Sequence, residues 1–239
     1  MPNQPIKNYA EMYVRGLELS RTDDINLVVD AGACRNSTGV NDIVLDAAVT
    51  LNGAQTGANG LDVGTLTGDA YWAASSLYAI YAIADSNKYQ DAAVVASLDT
   101  AQPLLPAGYD MYRRIGWALT DASRDLVDFR QYGSAEDRRY NWKSPVEVRA
   151  SAAADLANTA VSLATAMPAV RGEVVLQFVW TTAADTDYID VQPYDASPET
   201  DGYAVYVAGR TGAGTEGSIA VLNELNAGVP SVIYKASAA

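Results

Sequence analysis

The residues of this chain best suited to chemistry are carboxylates. Asp185, Asp187 and Asp190 fall within TTAADTDYID, and Glu199 follows shortly after. Two carboxylates facing each other a few ångströms apart across a cleft are what glycoside hydrolysis requires. These four stand among turn-forming residues, where aspartate is favoured because it hydrogen-bonds its own backbone. The alternating Asp185 and Asp187 could also meet a hard cation, but the segment lacks the longer oxygen series, the glycine and the closing glutamate of an EF-hand loop. Histidine is absent, which removes imidazole triads and imidazole zinc sites. The single cysteine, Cys34, has no partner for an intramolecular disulfide and no histidine to activate it, so it reads as a small buried apolar residue. Glycines recur between Gly53 and Gly68, yet no Gly-Lys-Ser/Thr and no helix-forming segment follows, and the loop reads as structural rather than phosphate-binding. No catalytic residue, metal ligand or cofactor site is assigned, and the chain is read as non-enzymatic.

Composition bounds the alternatives. With 239 residues, 49% hydrophobic and 19% charged, the chain can bury a core as one large domain or two small ones. A net charge of −13 is the wrong sign for neutralising phosphates, so direct nucleic-acid binding is not expected. The N-terminal MPNQPIKNYAEMY has no apolar signal-peptide core, and no apolar run approaches the length of a spanning helix. The expectation is synthesis in a cytoplasm with no membrane partner.

The elements that would position any site are strands. Residues 1–24 read as an extended arm and a first strand, with Pro2 and Pro5 among polar residues. Ile25, Leu27 and Val29 alternate, and so do Ile43, Leu45, Ala47, Val49 and Leu51, which predicts two strands joined by a turn-rich connection. YWAASSLYAIYAIA, from Tyr71 to Ala84, is apolar on both alternating faces and fits a central strand covered on both sides. After a short strand over 92–98 comes the breaker AQPLLPAG. Two alternating runs then flank DASR at Asp121–Arg124, which predicts a β-hairpin whose first arm carries Tyr109, Met111, Arg113, Ile115, Trp117 and Leu119 on one face and Arg114 on the other. Beyond Gly133, EVVLQFVW and further short apolar runs separated by Gly, Pro, Asp and Asn predict a second all-β unit. The alanine-rich Ser151–Met167 is read as loop and strand. The expectation is an all-β chain of two β-sandwich or jelly-roll-like domains: 1–24 arm and first strand, 25–137 first domain, 138–239 a second, smaller domain.

Arg138 and Arg139 stand beside Tyr140 and Trp142 in SAEDRRYNWKSP, a cluster of basic and aromatic residues in an acidic chain. With Tyr194, placed in a polar stretch, they are the expected interface residues; Trp117 and Trp180, in phase with apolar neighbours, are expected in the core.

Four segments resemble virion structural proteins of tailed bacteriophages: INLVVDAGACRNST at 25–38, GANGLDVGTL at 57–66, LPAGYDMYRRIGWALTDAS at 105–123 and, more loosely, RRYNWKSPVEV at 138–148. The most specific is P-x-GY-x-x-x-RRIG-x-x-x-TD. The resemblance covers about the first 150 residues and is looser beyond. It implies a β-rich particle component without catalytic residues. The reading is a capsid decoration or head-fibre protein of the virion, made in the host bacterial cytoplasm. Its expected partners are the major capsid protein or another virion protein, and copies of itself as a homotrimer. The alternative is a tail-fibre, collar or adaptor module contacting another tail protein or a host surface glycan.

Overall fold

A computed structural model describes residues 13–62, 71–132, 138–143, 159–164, 166–167, 172–181, 188–193, 205–208, 214–226 and 229–237. Among these the regular structure is all strand, with no helix. The chain divides into two units, Met1–Ser144 and Pro145–Ala239.

The first unit starts from a bent three-stranded meander. Strands β1 (Val14–Gly16) and β2 (Leu19–Arg21) run antiparallel to β4 (Gly32–Arg35) and β3 (Asn26–Val29), Val14 pairing with Cys34 and Leu19 with Val29. A third pass supplies β5 (Asp42–Leu45) beside β4 and β6 (Val49–Asn52) beside β3. Each pass breaks once, so one meander contributes to two sheets, β1-β4-β5 and β2-β3-β6. At the corner Gly16 and Leu17 both have positive φ, 64° and 57°. A Cβ on Gly16 would lie 2.5 Å from the Ala31 carbonyl oxygen, and one on Gly32 would lie 2.4 Å from that of Arg15, so only glycines allow the passes to approach this closely. Leu17 is fully buried there, which offsets the cost of left-handed backbone at a bulky residue.

The central sheet is built on a hairpin, β8 (Leu77–Asp85) and β9 (Lys88–Ser97), with the short β7 (Gly60–Leu61) on one side and β10 (Met111–Leu119) on the other. As the two-sided apolar run predicts, β8 is buried from Tyr78 to Ala84. Tyr78, Ile80, Ala82 and Ala84 join the large core with Leu27, Val29, Ile43, Leu51 and Trp72. Ala79, Tyr81 and Ile83 form a smaller core on the opposite face with Ala93 and Val95. Last come β11 (Phe129–Tyr132) and β12 (Arg139–Trp142), which pair with each other.

Two expectations are corrected here. The turn at Asp121–Arg124 is real: the Asp121 carboxylate accepts from the Ser123 and Asp125 amides, and Arg124 takes a φ of 73°. Its arms separate after the Thr120–Leu126 bridge, however, and β10 pairs with β8 instead, because β8 offers a continuous apolar partner along its whole length. The run from Ile43 to Leu51 is two strands rather than one, broken over 46–48 where the meander turns its corner. Strand β12 lies in the first unit, whose boundary falls after Ser144, and within the expected arm and first strand of 1–24 the chain forms the two sheet members Val14–Gly16 and Leu19–Arg21. Residues 1–12 of the expected arm lie outside the described residues.

In the second unit β13 (Thr159–Ser162), β14 (Gly172–Thr181), β15 (Tyr188–Pro193), β16 (Val205–Ala208), β17 (Gly214–Asn226) and β18 (Val229–Ser237) form one antiparallel sheet, ordered β14-β17-β18-β15-β16 with β13 also on β18. The strand at 159–162 agrees with the loop-and-strand reading of the alanine-rich segment.

Candidate interaction surface

The β8–β10 register decides which aromatic residues face outward. Met111 pairs with Ala84 and Tyr112 with Ile83, so Met111 lies on the large-core face and Tyr112 on the smaller-core face. The register shifts between Arg114 and Gly116, with Ile115 as the extra residue of a bulge. After it the phase inverts: Gly116 pairs with Ile80 and Trp117 with Ala79. Strict alternation puts Trp117 with Met111 in the core; the bulge moves it to the face of Tyr112 and Arg114 instead, where it is half-buried.

That face is covered by the segment between β9 and β10. Leu105 and Tyr109 pack on it with Tyr112 and Trp117, while Leu98 and Leu104 remain 40% and 54% exposed. The Arg114 guanidinium stands 4.6 Å from the Trp117 ring centre and donates to the Thr100 carbonyl at 2.9 Å. The Tyr81 hydroxyl donates to the Asp99 carbonyl at 3.0 Å, and burial pushes its pKa up to about 12. A rigid sheet thus presents aromatic, aliphatic and guanidinium groups together, the residue types over-represented where protein surfaces bind each other. The breaker AQPLLPAG and the RRIG motif signalled this region in the sequence, but the bulge that assembles it gave no signal.

The expected interface residues serve a different purpose. Arg138 Nη1 donates to the carbonyls of Leu17 at 2.8 Å and Ile115 at 2.7 Å, and its Nη2 donates to that of Gly16. The Tyr140 hydroxyl accepts from the Trp117 amide at 3.1 Å and from Gln131 Nε2 at 2.9 Å, while Gln131 Oε1 accepts from the Leu19 amide at 2.6 Å. These bonds satisfy the outward backbone of β2 and β10, each an edge strand of its sheet. Burial raises the Tyr140 pKa to about 12. Arg138 and Tyr140, expected at an interface, thus act as internal clamps whose bonds run within the first unit. Trp142 is half-buried against the large core, edge-on to Phe129 with ring centres 5.7 Å apart; Arg139 is exposed. Tyr194 lies outside the described residues.

The other sequence candidates resolve as follows. Cys34 is buried, and desolvation raises its thiol pKa to about 12. The described part of the glycine-rich loop directs its amides at the chain itself: Gly53 to Ile25, Gly57 to Leu61, Asn59 to Val94 and Leu61 to Gln55. Asp190 sits in β15 opposite Tyr206 and Lys235 rather than in a loop, while Asp185, Asp187 and Glu199 lie outside the described residues. Among the described residues no group of three or more His, Cys, Asp or Glu side chains is placed to hold a metal ion, and no helix is long and apolar enough to cross a membrane. Among known proteins no family model, no curated protein and no solved structure matches this chain.

Proposed function

We propose that this chain is a non-enzymatic structural component of a tailed-bacteriophage particle. It acts as a capsid decoration or head-fibre protein, an oligomer that binds the major capsid protein or another virion protein through surface contact. Its two units are β-sandwich or jelly-roll-like bodies, assembled in the host cytoplasm. The observation that supports the reading is the outer face of the central sheet, where Tyr109, Tyr112 and Trp117 pack and Arg114 stands over the Trp117 ring, together with the exposed Leu98 and Leu104 of the segment that follows β9. Four of these six come from the segment with the most specific phage resemblance. The face suits a protein partner better than a glycan, because sugar stacking needs a free aromatic ring and Arg114 already stands over Trp117.

Cryo-electron microscopy of intact particles tests the location, with density on the head expected. Density confined to the tail tip would favour the fibre, collar or adaptor reading. Leu104→Asp with Trp117→Ala should empty the particle sites while circular dichroism stays unchanged; full occupancy by this folded variant would refute the assignment of the face.

A further inference from the structure

The second unit holds a strand edge built differently from those of the first. β14 pairs with β17 in an unbroken ladder of ten, from Gly172 opposite Asn223 to Thr181 opposite Gly214. β17 meets β18 only beyond this, from Glu224 opposite Ser231 to Asn226 opposite Val229. Among the described residues the ladder is thus a two-stranded ribbon, roughly 33 Å long at the usual rise per residue. A two-stranded ribbon alone is marginal in water and needs a third strand or a packing partner. Among the described residues the outer edge of β14 is unpaired, and over GEVVLQFVWT there is no lysine, no proline and no bulge. The register also sorts the ribbon by face, with Val174, Leu176, Phe178 and Trp180 on the same side as Ile219 and Val221.

We infer that β14 pairs with β14 of a second copy, antiparallel about a two-fold axis at Gln177. The strand is self-complementary about that point. Residues equally far to either side face each other, so Leu176 meets Phe178, Val174 meets Trp180, Val175 meets Val179, and Gln177 meets its own counterpart. Each residue stays on its own face, which joins two apolar faces into one across the four-stranded sheet β17-β14-β14-β17. Glu173, the only charge on β14, falls opposite Thr181, so no like charges meet even though each copy carries −13. Strand addition of this kind draws its affinity from main-chain hydrogen bonds along the edge, and the facing residues set the register. A second copy is the occupant that this symmetry selects: the same edge is present on every molecule at matching register. The contact yields dimers, where the sequence reading expects a trimer, and it does not depend on the virion role.

Analytical ultracentrifugation of the full chain tests the pairing through a charge exchange at the axis. Wild type should show a concentration-dependent dimer. Gln177→Lys and Gln177→Glu should each raise the dissociation constant about fivefold, because two like charges then lie opposite each other. An equimolar mixture of the two should recover wild-type association or better. Thr181→Lys, placed opposite Glu173, should tighten the dimer about threefold; it keeps the test decisive if a Gln177 variant misfolds. A wild type that is monomeric at every concentration, a mixture no tighter than its components, or a trimer indifferent to these changes would overturn the inference. Each of those results leaves the particle-location test above unaffected.

Discussion

Arg138 gives the sharpest test of how the first unit is held together. Its guanidinium holds three backbone carbonyls on two separate passes of chain, those of Gly16 and Leu17 at the meander corner and that of Ile115 at the β10 bulge. All three sit where the backbone departs from regular geometry, so no ladder partner is available to replace the guanidinium. Replacing Arg138 with Met keeps most of the stem packing and removes the donors. The two part-buried bonds, at 2.8 Å and 2.7 Å, are charge-assisted and would each contribute about 1.5–3 kcal/mol. Water can reach a half-exposed site and replace some of this, and the Gly16 bond is exposed, so the net loss for Arg138→Met is about 3 kcal/mol. Lysine can serve fewer carbonyls at one time and should recover about half of that loss. The exposed Arg130 of β11 is the control: Arg130→Met should stay within about 0.5 kcal/mol of wild type. Urea unfolding followed by tryptophan fluorescence reads the change, since Trp72, Trp117 and Trp142 all lie in the first unit. A loss below about 1 kcal/mol for Arg138→Met, or an equal loss for Arg130→Met, would refute the clamp.

Other expectations follow from the same core. A Cβ at residue 53 would lie 1.9 Å from Trp72 Nε1, so Gly53→Ala should expel the indole and break its 2.9 Å bond to the Ile25 carbonyl. A destabilisation of about 3 kcal/mol with altered near-ultraviolet dichroism is expected, and a spectrum identical to wild type would contradict the packing. Cys34, buried and with its thiol raised to about 12, should react with a thiol reagent only as fast as the unit unfolds; prompt reaction of the native protein would show the site to be open. Burial raises Tyr81 and Tyr140 to about 12 from 10.0, so the folded state keeps protons that the unfolded chain has lost. Stability should hold up to about pH 9, where the unfolded Cys34 thiol begins to ionise, and fall more steeply between pH 10 and 12 as the two tyrosines add to it; a flat profile between pH 10 and 12 would argue against both tyrosine burials.

Much of the fold is legible in the sequence because burial on both faces leaves a distinctive composition. Tyr71–Ala84 reads as a two-sided central strand, and Tyr78–Ala84 is one. What periodicity cannot show is where a strand gains a residue or turns a corner. Ile115 looks like an ordinary member of an alternating run, but its insertion moves Trp117 to the other face. The run from Ile43 to Leu51 keeps its period through a corner, so it reads as one strand. Partner choice is also not local: β10 follows its apolar complement, β8, rather than the nearer chain beyond the turn at Asp121. For the same reason Arg138 and Tyr140 look like surface residues in a polar stretch, and their role becomes visible only once β10 and β2 lie beside them.

The treatment of strand edges separates the two units in function. In the first, Gln131 of β11, Tyr140 of β12 and Arg138 just before β12 bond backbone groups of Leu19, Trp117 and Ile115, so another strand adding there would have to displace side chains already bonded. On the proposed reading a partner instead meets the sheet face of Trp117 with the exposed Leu98 and Leu104 of the segment that follows β9. In the second unit β14 ends its sheet among the described residues, with a ten-residue edge suited to adding a strand. Face and edge contacts depend on different residues and should be separable. Leu104→Asp with Trp117→Ala should reduce particle occupancy and leave sedimentation unchanged, while Gln177→Lys should weaken the dimer and leave the first unit's thermal unfolding unchanged. If the Leu104 and Trp117 changes instead dissociated the dimer, self-association would belong to the sheet face, and the division of labour between the two units would be wrong.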